Sequence, residues 1–86
     1  MNINQLIEIV KNKLKQNIVC DKIKVEDKTF LHKHHKSHKK NKFHIKLVIN
    51  SDYLKKKSKI ESSKVIYKIL DKELKENIHS IQILIK

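Results

Sequence analysis

Apolar residues recur at helical spacing in the first segment of the chain. The positions are Ile3, Leu6, Ile7, Val10 and Leu14. Residues with this spacing lie on one face of a helix. Asn2, followed by Gln5 three residues later, has the form of a capping box. Lysines near the end of the segment suit the negative end of a helix dipole. The pattern predicts a helix from about Asn2 to Gln16.

Three later segments alternate apolar and polar residues, as half-buried strands do. The first lies within residues 18–27, where Ile23 and Val25 alternate with charged residues. The second and clearer one covers residues 43–50. The third has isoleucines at alternate positions from 81 to 85, preceded by Ile78 and His79. These segments predict three strands.

Between the second and third strands the pattern becomes helical again. Tyr53 and Leu54 are predicted to lie in a connection, and Ser58 with Glu61 has the form of a second capping box. A break near Ser62-Ser63 would divide this region into a short and a long helix, and Asn77 is predicted to end it in the left-handed conformation. The buried stripe is predicted to contain Ile60, Val65, Ile66, Ile69, Leu70 and Leu74.

The element order predicts an α+β domain over residues 1–86, with two layers, a three-stranded mixed sheet and helices on one face. The first two strands should be antiparallel, and the helical crossover allows the third strand to pair in parallel. The predicted core includes Leu6, Val10, Phe43, Ile45, Leu47, Ile66, Leu70, Ile81 and Ile83.

The segment between the first two strands, residues 28–42, holds six Lys and four His. A run of this composition cannot bury itself, so we expect a flexible surface loop. The histidines of this run are His32, His34, His35 and His38. By itself this spacing, without cysteines, indicates a solvated loop rather than a zinc site.

The formal charge of +12 raises the question of a polyanion partner. All 21 basic residues are Lys and none is Arg, the residue best suited to bidentate phosphate and guanine contacts. The abundance of Lys, Asn and Ile is what AT-rich coding DNA produces. With four aromatic residues, the chain also lacks the stacking surfaces of single-strand binders. We therefore interpret the charge mainly as a solvated surface.

Other features of the sequence restrict the class of protein and its compartment. Cys20 is the only cysteine, so we interpret it as a small hydrophobe and expect a reducing intracellular compartment, cytoplasmic by default, with mitochondria or plastids as alternatives. The N-terminal residues lack a targeting pattern, and no apolar run is long enough for a membrane span. No catalytic motif is present, and we expect a binding protein rather than an enzyme.

Several stretches of the chain resemble the BolA family. They are Val25-Glu26-Asp27-Lys28-Thr29-Phe30-Leu31-His32, His44-Ile45-Lys46-Leu47-Val48-Ile49-Asn50-Ser51, Val65-Ile66-Tyr67, Glu73-Leu74 and Ile78-His79-Ser80. The resemblance extends over nearly the whole chain. It implies a class II KH-like fold of αββααβ order, in agreement with the periodicity.

The resemblance also implies a function and ligands. Proteins similar to BolA share a [2Fe–2S] cluster with a monothiol glutaredoxin and glutathione, using a histidine near the last strand and a second ligand in the first inter-strand loop. His79 matches the first position, and His32 is in register with the second. His34, His35 and His38 are alternative loop ligands. We expect the isolated chain to be monomeric and to bind no cluster. His79 could instead be a core histidine, and we interpret His44 as exposed filler.

Two other functions are retained as alternatives. The first is nucleic-acid binding of the transcription-regulator type, with phosphate contacts from Lys55, Lys56, Lys57 and Lys59. A KH domain clamps the nucleotide backbone with a Gly-x-x-Gly loop, and this chain contains no Gly, so any such binding should be weak and non-specific. The second alternative is a metal-free adaptor that docks a glutaredoxin.

Overall fold

A computed structural model of the protein describes residues 1–29 and 42–86. The predicted mobility of the segment between the first two strands, and its four histidines, therefore lie outside the described residues. The element order is α1 (Ile3–Asn17), β1 (Lys22–Asp27), β2 (Phe43–Asn50), α2 (Asp52–Lys55), α3 (Lys59–Ile69), α4 (Asp71–Glu76) and β3 (Ile78–Ile85).

Helix α1 begins at the predicted capping box. The Asn2 side-chain oxygen accepts from the Gln5 amide at 2.9 Å, and the Gln5 side-chain oxygen accepts from the Asn2 amide at 3.0 Å. These bonds satisfy amides that have no partner within the helix. The helix buries Leu6, Val10 and Leu14, and the chain becomes extended at Ile18. The capping box and the apolar stripe are thus confirmed.

The sheet has the order β1-β2-β3, with β1 antiparallel and β3 parallel to the central β2. Both predicted pairings are confirmed. Ile45, Leu47 and Ile49 of β2 belong to the hydrophobic core that the sheet shares with the helices. The alternate β2 residues, beginning with His44 and Lys46, lie on the opposite face because side chains alternate along a strand. The helices therefore pack on one face of the sheet.

The core contains most of the predicted residues. Leu6, Val10, Ile45, Leu47, Ile66 and Leu70 are buried. Phe43, Ile81 and Ile83 are half-buried and pack against that core. Among the residues that the structure describes, the other buried apolar ones are Leu14, Ile18, Ile23, Val25, Ile49, Leu54 and Ile78.

The region between β2 and β3 differs from the prediction in where its helices begin and break. Leu54 is fully buried within the short helix α2, where only a connection was expected before the helix that starts at Ser58. Helix α3 continues through Ser62, whose hydroxyl donates to the carbonyls of Ser58 and Lys59 at 3.1 Å. Because this hydroxyl is satisfied inside the helix, no break is needed there. The break lies at Leu70, where the backbone leaves helical geometry.

Two further predictions for this region were wrong. Ile60 is 70% exposed, since it lies in the first turn of α3 and outside the buried stripe of Ile66 and Leu70. Asn77 has φ of −128°, so the chain leaves α4 without a left-handed residue. The extended backbone of β3 begins directly afterwards. The buried Ile78 then provides the apolar contact that starts the strand.

Candidate functional site at the start of the third strand

His79 lies at an irregularity of the β2–β3 pairing. Phe43 is opposite Ile78, but His44 is opposite Ser80, so β3 has one more residue than β2 at this point. Such a bulge changes the direction of a side chain and interrupts the alternation of the two faces. Ile78 is buried, whereas His79 and Ser80 are exposed. The core-histidine alternative for His79 is therefore wrong.

His44 is buried although it lies on the polar face of β2. Only 6% of its surface is exposed. Its Nδ1 is 2.6 Å from the Ser80 hydroxyl, and its backbone amide donates to the Thr29 hydroxyl at 3.2 Å. Its carbonyl accepts from the Lys28 amide at 2.7 Å. The interpretation of His44 as an exposed residue was wrong, because its side chain contacts β3 and its backbone bonds to the two residues that follow β1.

The two imidazoles are in contact. The ring centroids of His44 and His79 are 4.7 Å apart, and the ring planes are inclined by 38°. A buried ring held by its neighbours restricts the rotamers of the ring that rests on it, which lowers the entropy that a ligand-binding side chain loses on binding. The His79 ring is thus accessible to solvent on one side and in contact with the buried His44 ring on the other.

The surface beside this histidine pair is cationic. A small groove there is lined partly by Lys28, His44, Lys46 and Ser80. Two carboxylates lie near this surface. Glu26 is opposite Lys46 in the β1–β2 register and 3.4 Å from the Lys28 ammonium, and Asp27 accepts from the Thr29 amide at 3.0 Å. Hydrogen bonding by Lys28, together with the charges of Lys28, Lys24 and Lys46, holds the pKa of Glu26 below its ordinary value. The local field favours anionic groups.

The described residues supply few metal ligands. They contain no group of three or more His, Cys, Asp or Glu side chains placed to hold a metal ion. Thr29 and Lys42, which flank the segment containing His32, His34, His35 and His38, are at the same end of the sheet as His79. Cys20 is at the opposite end, beside the start of β1, and packs against the core as expected of a small hydrophobe.

The lysines considered for nucleic-acid contact are far from this pair along the sheet. Lys55, Lys57 and Lys59 line a groove beside the last residues of β3, whereas Lys56 is exposed outside it. The Lys57 ammonium lies 4.7 Å from the centre of the Tyr53 ring. The structure therefore separates a histidine site at one end of β3 from a lysine groove at the other.

Sequence reasoning identified His79 and missed His44. The missing information is the register, because the period-two pattern places His44 on the polar face but does not show that Ser80 and His79 meet it there. In an alternating strand, a polar residue between two apolar ones is assigned to the opposite face of the sheet. The pattern does not show whether other residues cover it on that face. The exposed position of His79 likewise depends on a bulge that has no Gly or Pro to indicate it.

None of the helices formed by the described residues is long and apolar enough to cross a membrane.

Comparisons with known proteins agree on one family. The family model described as BolA-like protein matches residues 14–86. The fold is similar to the BolA domain of SufE1 from Arabidopsis thaliana, with 27% identity and a TM-score of 0.79 over 100% of this chain and 93% of that one. For BolA1 from Arabidopsis thaliana the identity is 20% and the TM-score 0.75, over 93% and 88% of the two chains. A bol-like protein from Babesia bovis has 15% identity and a TM-score of 0.71, over 92% and 80%. A comparison with curated protein sequences finds no match.

Proposed function

Since this chain belongs to the BolA-like protein family, we propose that it is a partner of a monothiol glutaredoxin in the assembly, trafficking or iron-sensing use of [2Fe–2S] clusters. In this function His79 supplies an imidazole ligand to a cluster shared between the two proteins. The observation that carries the proposal is the exposed imidazole of His79, presented by a bulge and resting on the buried ring of His44.

The chemistry of the donor fits such a cluster. Neutral imidazole is a suitable ligand for iron, and clusters with His in place of Cys on one iron have a raised reduction potential. A single exposed histidine holds no cluster alone, so the remaining ligands come from elsewhere. In the proposal they are a loop histidine of this chain, the glutaredoxin cysteine and glutathione.

The loop ligand is assigned to His32, with His34, His35 and His38 as substitutes. Support comes from chain connectivity, since Thr29 precedes the segment and bonds directly to the His44 backbone at the His79 end of the sheet. The nearby lysines favour an approaching anionic group, such as a thiolate-bound cluster or the carboxylates of glutathione.

His44 acts as a positioning residue in this proposal. The Ser80 hydroxyl holds the His44 ring, and that ring restricts His79. A ligand whose orientation is fixed by supporting contacts binds more tightly than one that must be ordered first.

The test is substitution in the mixed complex. The chain is co-expressed with a monothiol glutaredoxin, and visible absorption and EPR spectra are recorded. His79→Ala should abolish the spectrum of a His-ligated cluster while circular dichroism shows a folded domain. His44→Phe tests the positioning role: it keeps a ring beneath His79 but removes the Nδ1 contact with Ser80, so the His-ligated spectrum should be retained while the cluster is bound less tightly.

The loop ligand is tested in the same complex. His32→Ala should change the spectrum only if no neighbouring histidine takes its place as the ligand. The spectrum of His32→Ala is therefore compared with that of a variant in which His32, His34, His35 and His38 are all replaced by Ala. If His79→Ala leaves both the visible and EPR spectra unchanged, this chain does not ligate the cluster through His79. The protein would then be the metal-free adaptor.

A further inference from the structure

The groove at the far end of β3 lies between that strand and the helices that follow β2. Lys55, Lys57 and Lys59 line it on the helical side, and Ile83 and Ile85 line it on the strand side. The fully buried Leu54 contributes to its apolar floor. The groove is at the opposite end of the sheet from His79, because Ile85 pairs with Ile49 while Ile78 pairs with Phe43. The groove is therefore spatially separate from the exposed imidazole of His79.

The outer edge of β3 presents backbone groups to this groove. The Lys86 amide donates to the Ile49 carbonyl at 2.9 Å, and the Lys86 carbonyl accepts from the Ser51 amide at 3.3 Å. Along a parallel strand, successive residues direct their main-chain amide and carbonyl groups alternately toward the two neighbouring strand positions. Ile83 and Ile85 therefore direct their amides and carbonyls away from β2. Among the described residues no strand lies on that side, since the sheet order ends at β3.

The positive charge around this edge favours an acidic partner. None of the residues lining the groove is acidic, and three of them are lysines. The Lys57 ammonium is held near the Tyr53 ring by a cation–π contact. An unpaired strand edge binds an extended chain through main-chain hydrogen bonds, while flanking pockets read its side chains. We propose that the outer edge of β3 binds an extended acidic peptide segment of a partner protein, with Asp or Glu side chains on the lysines and an apolar side chain over Leu54.

A peptide fits this groove better than the other polyanion available, a single-stranded nucleic acid. The lining includes no aromatic side chain on which a base could stack, and the Tyr53 ring beside it is in contact with the Lys57 ammonium. A sugar–phosphate backbone also lacks the alternating donors and acceptors that pair with Ile83 and Ile85. A second copy of this chain is disfavoured by charge, because each copy carries +12 and would bring its own lysines to the interface.

The experiment uses the full chain and a short fluorescent peptide in which Glu alternates with Val. Fluorescence anisotropy should show binding that is lost when Gln replaces each Glu, and also when alternate peptide amides are N-methylated. The variant Lys55→Gln/Lys57→Gln/Lys59→Gln should bind about tenfold more weakly. The control Lys15→Gln/Lys22→Gln/Lys72→Gln has the same net charge but alters exposed lysines outside the groove. It should change affinity by about twofold or less.

Backbone NMR locates the binding edge. The amides of Ile83 and Ile85 should shift and become protected from exchange when the Glu peptide binds, while those of β1 should not. The proposal is overturned if the Glu peptide does not bind, if its Gln or N-methylated form binds equally well, or if the shifts are confined to β1. Two results together would instead identify the groove as a nucleic-acid site and overturn the proposal. Oligothymidylate would bind the parent chain more tightly than the peptide does, and the groove variant would weaken oligothymidylate binding more than the control variant does.

Discussion

At the scale of single residues, the most consequential polar contact in the core joins Lys13 of α1 to Glu73 of α4. The Glu73 side chain is 4% exposed, and the Lys13 ammonium contacts both its oxygens, at 2.8 and 2.7 Å. A buried carboxylate has lost its hydration and depends on such a partner. The Lys13 side chain is itself about one third exposed, so water reaches one side of the pair. The contact ties the first helix to the last.

Removing the ammonium of this pair should destabilise the fold. For Lys13→Gln we expect a loss of about 2 kcal/mol, less than a fully buried pair would give because the site is partly hydrated. Urea unfolding followed by circular dichroism measures it. The matched control is Lys75→Gln, which breaks the exposed 3.0 Å pair with Asp71 and should cost about 0.5 kcal/mol or less. Equal losses in the two variants would contradict a role for burial.

Residue patterns predicted the capping box of α1 because a cap is a local bond between residues close in sequence. They did not predict the burial of His44 or of Glu73. His44 contacts Ser80, which lies 36 positions later in β3, and Lys13 and Glu73 are 60 positions apart. These contacts depend on how distant elements meet, which no short window of sequence contains.

At the scale of elements, the strands were the most predictable part and the helical crossover the least. The alternation along β2 determines which face is buried, and a one-residue shift would expose Ile45 and Leu47. The break at Leu70 has no Gly or Pro to mark it. It occurs where a fully buried leucine leaves helical geometry and α4 begins. Packing rather than local propensity decides its position.

The β1–β2 pair predicts a pH effect centred on Glu26. Its neighbours Lys28, Lys24 and Lys46 hold the folded-state pKa below the ordinary 4.5. The stabilisation is therefore present above pH 4.5 and disappears as the pH falls through the lower, folded-state pKa. Glu26→Gln should be slightly less stable than the parent at neutral pH, and the difference should vanish in acid. Because the side chain is solvated, we expect a small effect.

Urea midpoints measured from neutral pH to pH 3 give this difference, and an NMR titration of the Glu26 carboxyl gives the pKa directly. Glu8→Gln serves as the control, since Glu8 is exposed on α1 and forms no ion pair with any described residue. A stability difference between parent and Glu26→Gln that persists below the folded-state pKa would contradict the electrostatic explanation.

At the scale of the whole molecule, the two ends of the sheet carry different chemistry. The end where β3 begins has the histidine pair, and the end where it finishes has the lysine groove. The fold and the location of His79 could be predicted, because alternation, helical spacing and the BolA resemblance agree. The groove could not be predicted, because Lys55, Lys57 and Lys59 form one wall of it only when the last residues of β3 lie beside them as the other wall.

The overall charge of +12 predicts the behaviour of the molecule toward nucleic acids. Lysines without Arg, aromatic platforms or a Gly-x-x-Gly loop attract phosphates but read little sequence, so affinity should be weak, salt-sensitive and similar for different sequences. Titrations of several DNA and RNA oligonucleotides at low and physiological salt test this. Because the attraction belongs to the whole surface, the groove and control lysine variants, which remove equal charge, should weaken oligonucleotide binding equally. A strong sequence preference that survives physiological salt would instead indicate a dedicated nucleic-acid site.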